Sequence, residues 1–200
     1  MKLKNLLMLL ATLALLAGAT GCIFSPDPGD PEPEDEGRPE NSTPDILMAN
    51  FKDIYEEMNS DDFIDQLHTD YRTVLLQETF DAWEGSDTPL TELYFDRDLE
   101  ITIHRNMFEG LGGVDEAGIA QPPIDSISVD VLDKDGTWEP VEESEDYFGG
   151  RGAFKARFNL LIYFENPGNH RFEVDQIVDF YVIKGDDNLW TMLGQKGFSN

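Results

Sequence analysis

The residues able to do chemistry are few, and their spacing narrows the options. His68, His104 and His170 share no metal-ligand spacing, so no zinc site is expected and each reads as a surface histidine. Asp133, Asp135, Gly136 and Glu142 match four positions of a calcium-binding EF-hand loop. Val131 stands where its first ligand belongs, however, and the flanks alternate like strands. Asp133-Lys134-Asp135-Gly136 therefore reads as a hairpin turn, and the acidic run 142–146 as a solvated loop. Gly149-Gly150-Arg151-Gly152 lacks the strand-to-helix setting of a phosphate loop. No Gly-x-Ser-x-Gly element is present, and no nucleophile constellation, metal site or cofactor is expected.

The elements that would position any site follow from periodicity. Thr43-Pro44 reads as an N-cap with proline at the first helical position, and Leu47, Phe51, Ile54, Tyr55 and Met58 then share one helical face. Ser60 caps a second short helix carrying Phe63, Ile64 and Leu67, and residues 71–77 read as a strand. A third helix over 96–108 places Leu99, Ile103 and Met107 at successive i+4 positions, with His104 one residue off that face. From Pro123 the period becomes two. Ile127, Val129 and Val131 lead into the expected turn, with Trp138 and Val141 on a partner strand.

Two further strands are more informative. Phe154, Ala156, Phe158, Leu160, Ile162 and Phe164 share one face, as do Phe172, Val174, Val178, Phe180 and Val182, interrupted only by Gln176. The intervening loop predicts antiparallel pairing of Phe164 with Phe172. That register sets Leu160 opposite Gln176, Phe158 opposite Val178, and Arg157 opposite Asp179 on the other face. Asp175 and Asp179 thus fall on the outward side, and Gln176, the polar intruder on the apolar floor, cannot serve as a base. A last strand runs over 189–195. Helices followed by strands give an α+β architecture, with three N-terminal helices packed on a curved antiparallel sheet.

Composition bounds the partners. The 200 residues carry 14 Lys+Arg against 41 Asp+Glu, a net charge of −27. Nucleic-acid binding is excluded as an expectation, because phosphate contacts need clustered Lys and Arg. One cysteine excludes an intramolecular disulfide and any Cys-cluster metal site.

That cysteine closes a targeting segment. Lys2 and Lys4 precede a mostly aliphatic run over 6–17, too short to span a bilayer, and small residues follow up to Cys22. Ala19-Thr20-Gly21-Cys22 resembles the lipobox of bacterial lipoproteins, with Ala19 where Leu is usual. The resemblance implies a signal peptide over 1–21 and an acylated Cys22 anchoring the chain in the cell envelope. An ordinary secretory signal is the competing reading, and the placement of the sole cysteine favours the first. Ile23 stands where Asp would be the inner-membrane retention signal, which favours the outer membrane. Residues 24–44 contain six prolines, seven acids and one arginine. With Cys22 they form a 22–44 segment read as a lipidated cysteine and a disordered, self-repelling tether. The domain is expected over 45–200, with 34 acids against 11 bases.

Leu47…Phe51…Tyr55, Asp62-Phe63…Leu67…Asp70-Tyr71, and the stretch from Leu93-Tyr94-Phe95-Asp96 to Asn106-Met107-Phe108 resemble NTF2-like (SnoaL-like, cystatin-type cone) domains. The resemblance implies a cone with a pocket between helices and sheet, whose mouth Tyr55, Trp83, Tyr94, His104 and Gln176 could reach. For Tyr55, Trp83 and Gln176, core packing is the expected role. The implied function is non-catalytic binding of a small apolar ligand or an envelope protein. An isomerase or dehydratase of the same fold is the alternative. The outward sheet face (Leu161, Tyr163, Ile177, Tyr181, Ile183) is apolar enough to pair with a second copy of the chain.

Overall fold

The computed structural model describes residues 37–83, 90–114, 120–168 and 170–198. The signal segment, Cys22, the tether as far as residue 36 and the side chain of Trp83 lie outside the described residues. The folded unit spans Arg38–Asn200.

Thr43 caps helix α1 (Pro44–Glu57), its side chain accepting from Ile46 N at 3.2 Å, and Met58 ends the helix in the left-handed conformation. Leu47, Phe51, Ile54 and Tyr55 are buried on the expected face, with Met58 half-buried beside them. Asn59, rather than Ser60, caps α2 (Ser60–Gln66), accepting from Asp62 N at 3.1 Å. Strand β1 (Leu67–Val74) begins at once, so Leu67 opens a strand and the element starts four residues before the predicted Tyr71. A short helix α3 (Gln77–Trp83), which periodicity did not predict, precedes β2 (Tyr94–Asp96). Helix α4 (Arg97–Phe108) is capped by Asp96. A small ribbon of β3 (Gly113–Val114) and β4 (Ala120–Gln121) follows. The remaining strands are β5 (Ser126–Pro140), β6 (Phe154–Asn166), β7 (His170–Lys184) and β8 (Trp190–Phe198).

The main sheet runs β2-β1-β8-β7-β6-β5. It is antiparallel except where β1 joins β8 in parallel, so the sheet is mixed rather than wholly antiparallel. The β6–β7 register is the predicted one: Phe164 pairs with Phe172, Leu160 with Gln176, Phe158 with Val178 and Arg157 with Asp179. Arg157 grips Asp179 with two bonds, at 2.8 and 3.2 Å.

The predicted hairpin at 133–136 is absent. β5 continues through it, and the ladder breaks register between Asp135 and Glu139. Gly136 (φ 86°) therefore serves a bulge, which needs the same left-handed backbone as a tight turn.

Two cores result, one on each sheet face. The larger joins α1, α2 and α4 to the inner residues of β5–β8, including Val129, Phe158, Leu160, Phe180 and Met192. Trp190 packs with this core, its ring 5.6 Å from Phe154. The smaller core lies on the opposite face, where the loop 141–153 lays Phe148 on Tyr181 at 3.9 Å, with Val74, Ala153 and Leu193 around them. Tyr181, expected on an open outward face, is therefore 1% exposed, and Ile183 packs beside it.

Residues 38–41, read as tether, are docked on this unit. Arg38 pairs with Glu57 and Asp62, and Asn50 donates to Pro39 O at 2.7 Å and to Asn41 Oδ1 at 2.8 Å. Trp190 N donates to Asn41 O at 2.8 Å. Among the described residues no helix is long and apolar enough to cross a membrane.

Candidate functional site

Helix α4 carries an unexpected stripe. Its buried residues are Glu100, His104 and Phe108, spaced four apart, whereas Leu99 and Ile103 are only half-buried. His104, expected on the surface, is 7% exposed because the stripe faces the main core, where rings close over it. Phe63 stacks on His104 at 4.1 Å, and Tyr55 and Phe108 meet its ring edgewise at 5.3 and 5.6 Å.

The polar atoms in this apolar setting satisfy one another. His104 Nδ1 lies 3.0 Å from Glu100 O, and a carbonyl can only accept, so the proton sits on Nδ1. Nε2 is then the acceptor, and the Tyr55 hydroxyl donates to it. Neither ring nitrogen is left open. Glu100, 3% exposed, has one carboxylate oxygen 3.6 Å from His104 Nδ1 and is acted on by the Thr73 and Tyr71 hydroxyls, which lie 3.1 Å from each other. Gln195 Nε2 donates to Thr73 Oγ1 at 3.2 Å, tying the chain of bonds to β8. Tyr55 from α1, the Glu100–His104 pair from α4, Tyr71 and Thr73 from β1, and Gln195 from β8 thus form one network.

Burial governs the titration. It pushes the Glu100 carboxyl up to about 7, against the opposing pull of the Thr73 and Tyr71 hydrogen bonds. It drives His104 down to about 4, so the imidazole is neutral at ordinary pH. Burial, with Glu100 nearby, also holds the Tyr55 and Tyr71 phenols well above the usual tyrosine range.

Of the residues expected at a pocket mouth, Tyr55 and His104 meet in this network. Tyr94 lies at the β2 edge of the sheet, its ring 4.8 Å from the Arg72 guanidinium and 5.7 Å from Tyr147. Gln176 is half-buried on β7, with its Oε1 3.3 Å from where a Cβ on Gly197 would stand. Sequence reasoning missed Glu100, Tyr71 and Thr73. The available signal was Glu100 one helical turn before His104, which puts both on one face.

A cleft of about 230 Å³ opens at the sheet edge, lined by residues 69–72 of β1, Tyr94 and residues 96–98, and it adjoins the network at Tyr71. No group of three or more His, Cys, Asp or Glu among the described residues could hold a metal ion.

No family model and no curated relative matches the sequence. Similar solved structures exist. A conserved protein from Planctomyces limnophilus aligns at TM-score 0.51 and 8% identity, covering 76% of this chain and 89% of its own. A protein from Novosphingobium aromaticivorans, provisionally named an aromatic ring hydroxylase, aligns at TM-score 0.50 and 10% identity, covering 76% and 83%. An NTF2-like superfamily protein from Salmonella enterica aligns at TM-score 0.47 and 5% identity, covering 76% and 85%. At such identities the likeness concerns the fold alone. With its N-terminal helices laid on a six-stranded mixed sheet, the domain is an α+β unit that shares its fold with the Planctomyces and Novosphingobium proteins.

Proposed function

We propose that this chain is a lipid-anchored protein of the cell envelope whose NTF2-like domain binds a partner or ligand at its surface and carries out no catalysis. The supporting observation is the state of the groups that could act as acid or base. Both nitrogens of His104 are bonded within the protein, Glu100 is engaged by Tyr71 and Thr73, and aromatic rings occupy the space beside them. A general base must come within hydrogen-bond reach of a substrate proton. Here that reach is taken up by the network itself.

Phe51, Tyr55, Phe63, Phe108, Phe158 and Phe180 are buried together in the core beside these groups. The isomerase or dehydratase alternative would require Tyr55 to swing away and His104 or Glu100 to face a substrate. Hydrogen exchange distinguishes the two readings. In the sealed domain the His104 Nδ1–H resonance persists at neutral pH and exchanges slowly. A rapidly exchanging ring proton would mean that solvent reaches the network, and would return the catalytic reading to first place.

A further inference from the structure

The cleft between β1 and the start of α4 has a charge arrangement found on few parts of this chain. Seven of the twelve described Lys and Arg side chains are matched to a carboxylate: Arg38 to Glu57 and Asp62, Lys52 to Glu56, Arg105 to Glu109, Lys134 to Asp45, Arg151 to Asp70, Lys155 to Glu145 and Arg157 to Asp179. Arg72 and Arg97, which both line the cleft, have no carboxylate at ion-pair distance among the described residues, in a chain with 41 acids. Each is nonetheless held in place. Arg72 lies over the Tyr94 ring and reaches Tyr147 O at 3.5 Å, and Arg97 donates to Ile64 O at 3.3 Å. Arg97 Nε is itself buried, as is Arg38 Nε, so only the terminal nitrogens of its guanidinium are available to the cleft.

Acids line the same cleft. Asp70 is committed to Arg151 at 3.2 Å, and one oxygen of Asp96 caps α4 by accepting from Leu99 N at 2.9 Å. The Asp98 carboxylate lies in no ion pair among the described residues and is exposed. A simple anion would meet the guanidiniums but also these carboxylates, on a domain of strongly negative charge. A simple cation would meet the reverse. A molecule carrying both charges satisfies both sets.

We propose that this cleft binds a small zwitterion with a carboxylate and an ammonium close together, of the free amino-acid class. The carboxylate lies against Arg72 and Arg97, and the ammonium against Asp96 and Asp98. A volume of about 230 Å³ suits a ligand of that size. The inference rests on the surface-binding reading above and gives it a ligand class.

The test is an NMR titration of the full-length chain in detergent micelles near neutral pH with L-alanine, propionate and ethylamine. The last two each lack one of alanine's charged groups. Alanine should give saturable shifts at the Arg72 and Arg97 Nε–H groups, with the other two compounds at least about tenfold weaker. Arg97→Gln and Asp98→Asn should each weaken alanine by about tenfold or more while leaving the remaining spectrum in place. Asp98 is exposed, so its variant carries the test should Arg97→Gln disturb the fold. No saturable shift with alanine overturns the proposal, as does propionate binding equally well or affinity untouched by Asp98→Asn. A silent cleft beside a slowly exchanging His104 proton would overturn this ligand assignment while leaving the sealed, non-catalytic interior standing.

Discussion

The Glu100–His104 pair makes a pH signature that can be read residue by residue. The carboxyl titrates near 7 in the fold against 4.5 for an ordinary glutamate. Its preference for the protonated form therefore stabilises the fold fully below about 4.5, and that contribution is lost as pH rises through 7. The imidazole titrates near 4 against 6.5, so its stabilising preference for neutrality is complete above about 6.5 and is lost as pH falls through 4. Between these limits the two slopes oppose and largely cancel. Single variants should uncover them. Relative to wild type, Glu100→Gln should gain stability as pH rises from about 4.5 to 7, and His104→Gln should lose it across the same range in mirror image. Each difference slope is bounded by about 1.4 kcal/mol per pH unit. Urea denaturation at several pH values, taken as variant minus wild type, cancels the many surface carboxylates, and two parallel flat differences would refute the account. Tyr55→Phe tests the neighbouring bond. It leaves His104 Nε2 buried without a donor and should cost about 1–3 kcal/mol in the same measurement.

At the level of elements, the close passages between strands decide what the sheet tolerates. A Cβ on Gly194 would lie 2.3 Å from Arg72 O and 2.5 Å from the Phe148 ring, so this glycine permits both the parallel β1–β8 pairing and the docking of loop 141–153. Gly194→Ala should therefore destabilise by about 1–3 kcal/mol or more, measured by chemical denaturation, and should loosen Phe148 as read from Tyr181 ring shifts. The outer strand β5 shows a different device. Glu56 Oε1 accepts from Val129 N at 3.1 Å and Lys52 Nζ donates to Val129 O at 2.8 Å, so an i,i+4 pair on α1 takes the place of a neighbouring strand. Glu56→Ala should accelerate amide exchange at Val129 while the inward-facing amides of β6 stay protected; equal rates in both proteins would dismiss the clasp.

The legible part of this fold was its local alternation. Strict period two over Phe154–Phe164 and Phe172–Val182 fixed both faces and, with the loop length, the whole β6–β7 register. What failed had nonlocal or degenerate causes. The β1–β8 pairing joins segments more than a hundred residues apart, which no window of sequence reports. Asp-Gly at 135–136 signals a left-handed residue but not whether the strand turns back or bulges. On α4, His104 lies one residue off the Leu99–Ile103–Met107 face and so reads as a surface histidine, and Glu100 carries no signal of its own, since an unpaired charge is costly to bury. Their partners Tyr55, Tyr71 and Thr73 come from other elements and could not be counted in advance. Half of the site was in view through Tyr55 and His104, and the acid beside His104 Nδ1 was not.

For the whole molecule, the charge of −27 works together with the proposed anchor at Cys22. Acids outnumber bases 34 to 11 over 45–200, and seven of the twelve described basic side chains are absorbed in ion pairs, so the domain's net charge repels an anionic bilayer. On the proposed reading, stable membrane association comes from acyl chains on Cys22, each buried methylene adding about 0.8 kcal/mol, and more than one chain is needed for lasting attachment. Cys22→Ser, once cleaved after the apolar run, should leave the exported chain in the soluble fraction at every salt concentration, because the acyl chains are gone. The unaltered chain should stay with membranes even at high salt, where an electrostatic attachment would dissolve. Fractionation at low and high ionic strength reads both. A Cys22→Ser protein that still sediments with membranes would transfer the anchor to the apolar run over 6–17, retained as an uncleaved segment, and would end the lipoprotein reading.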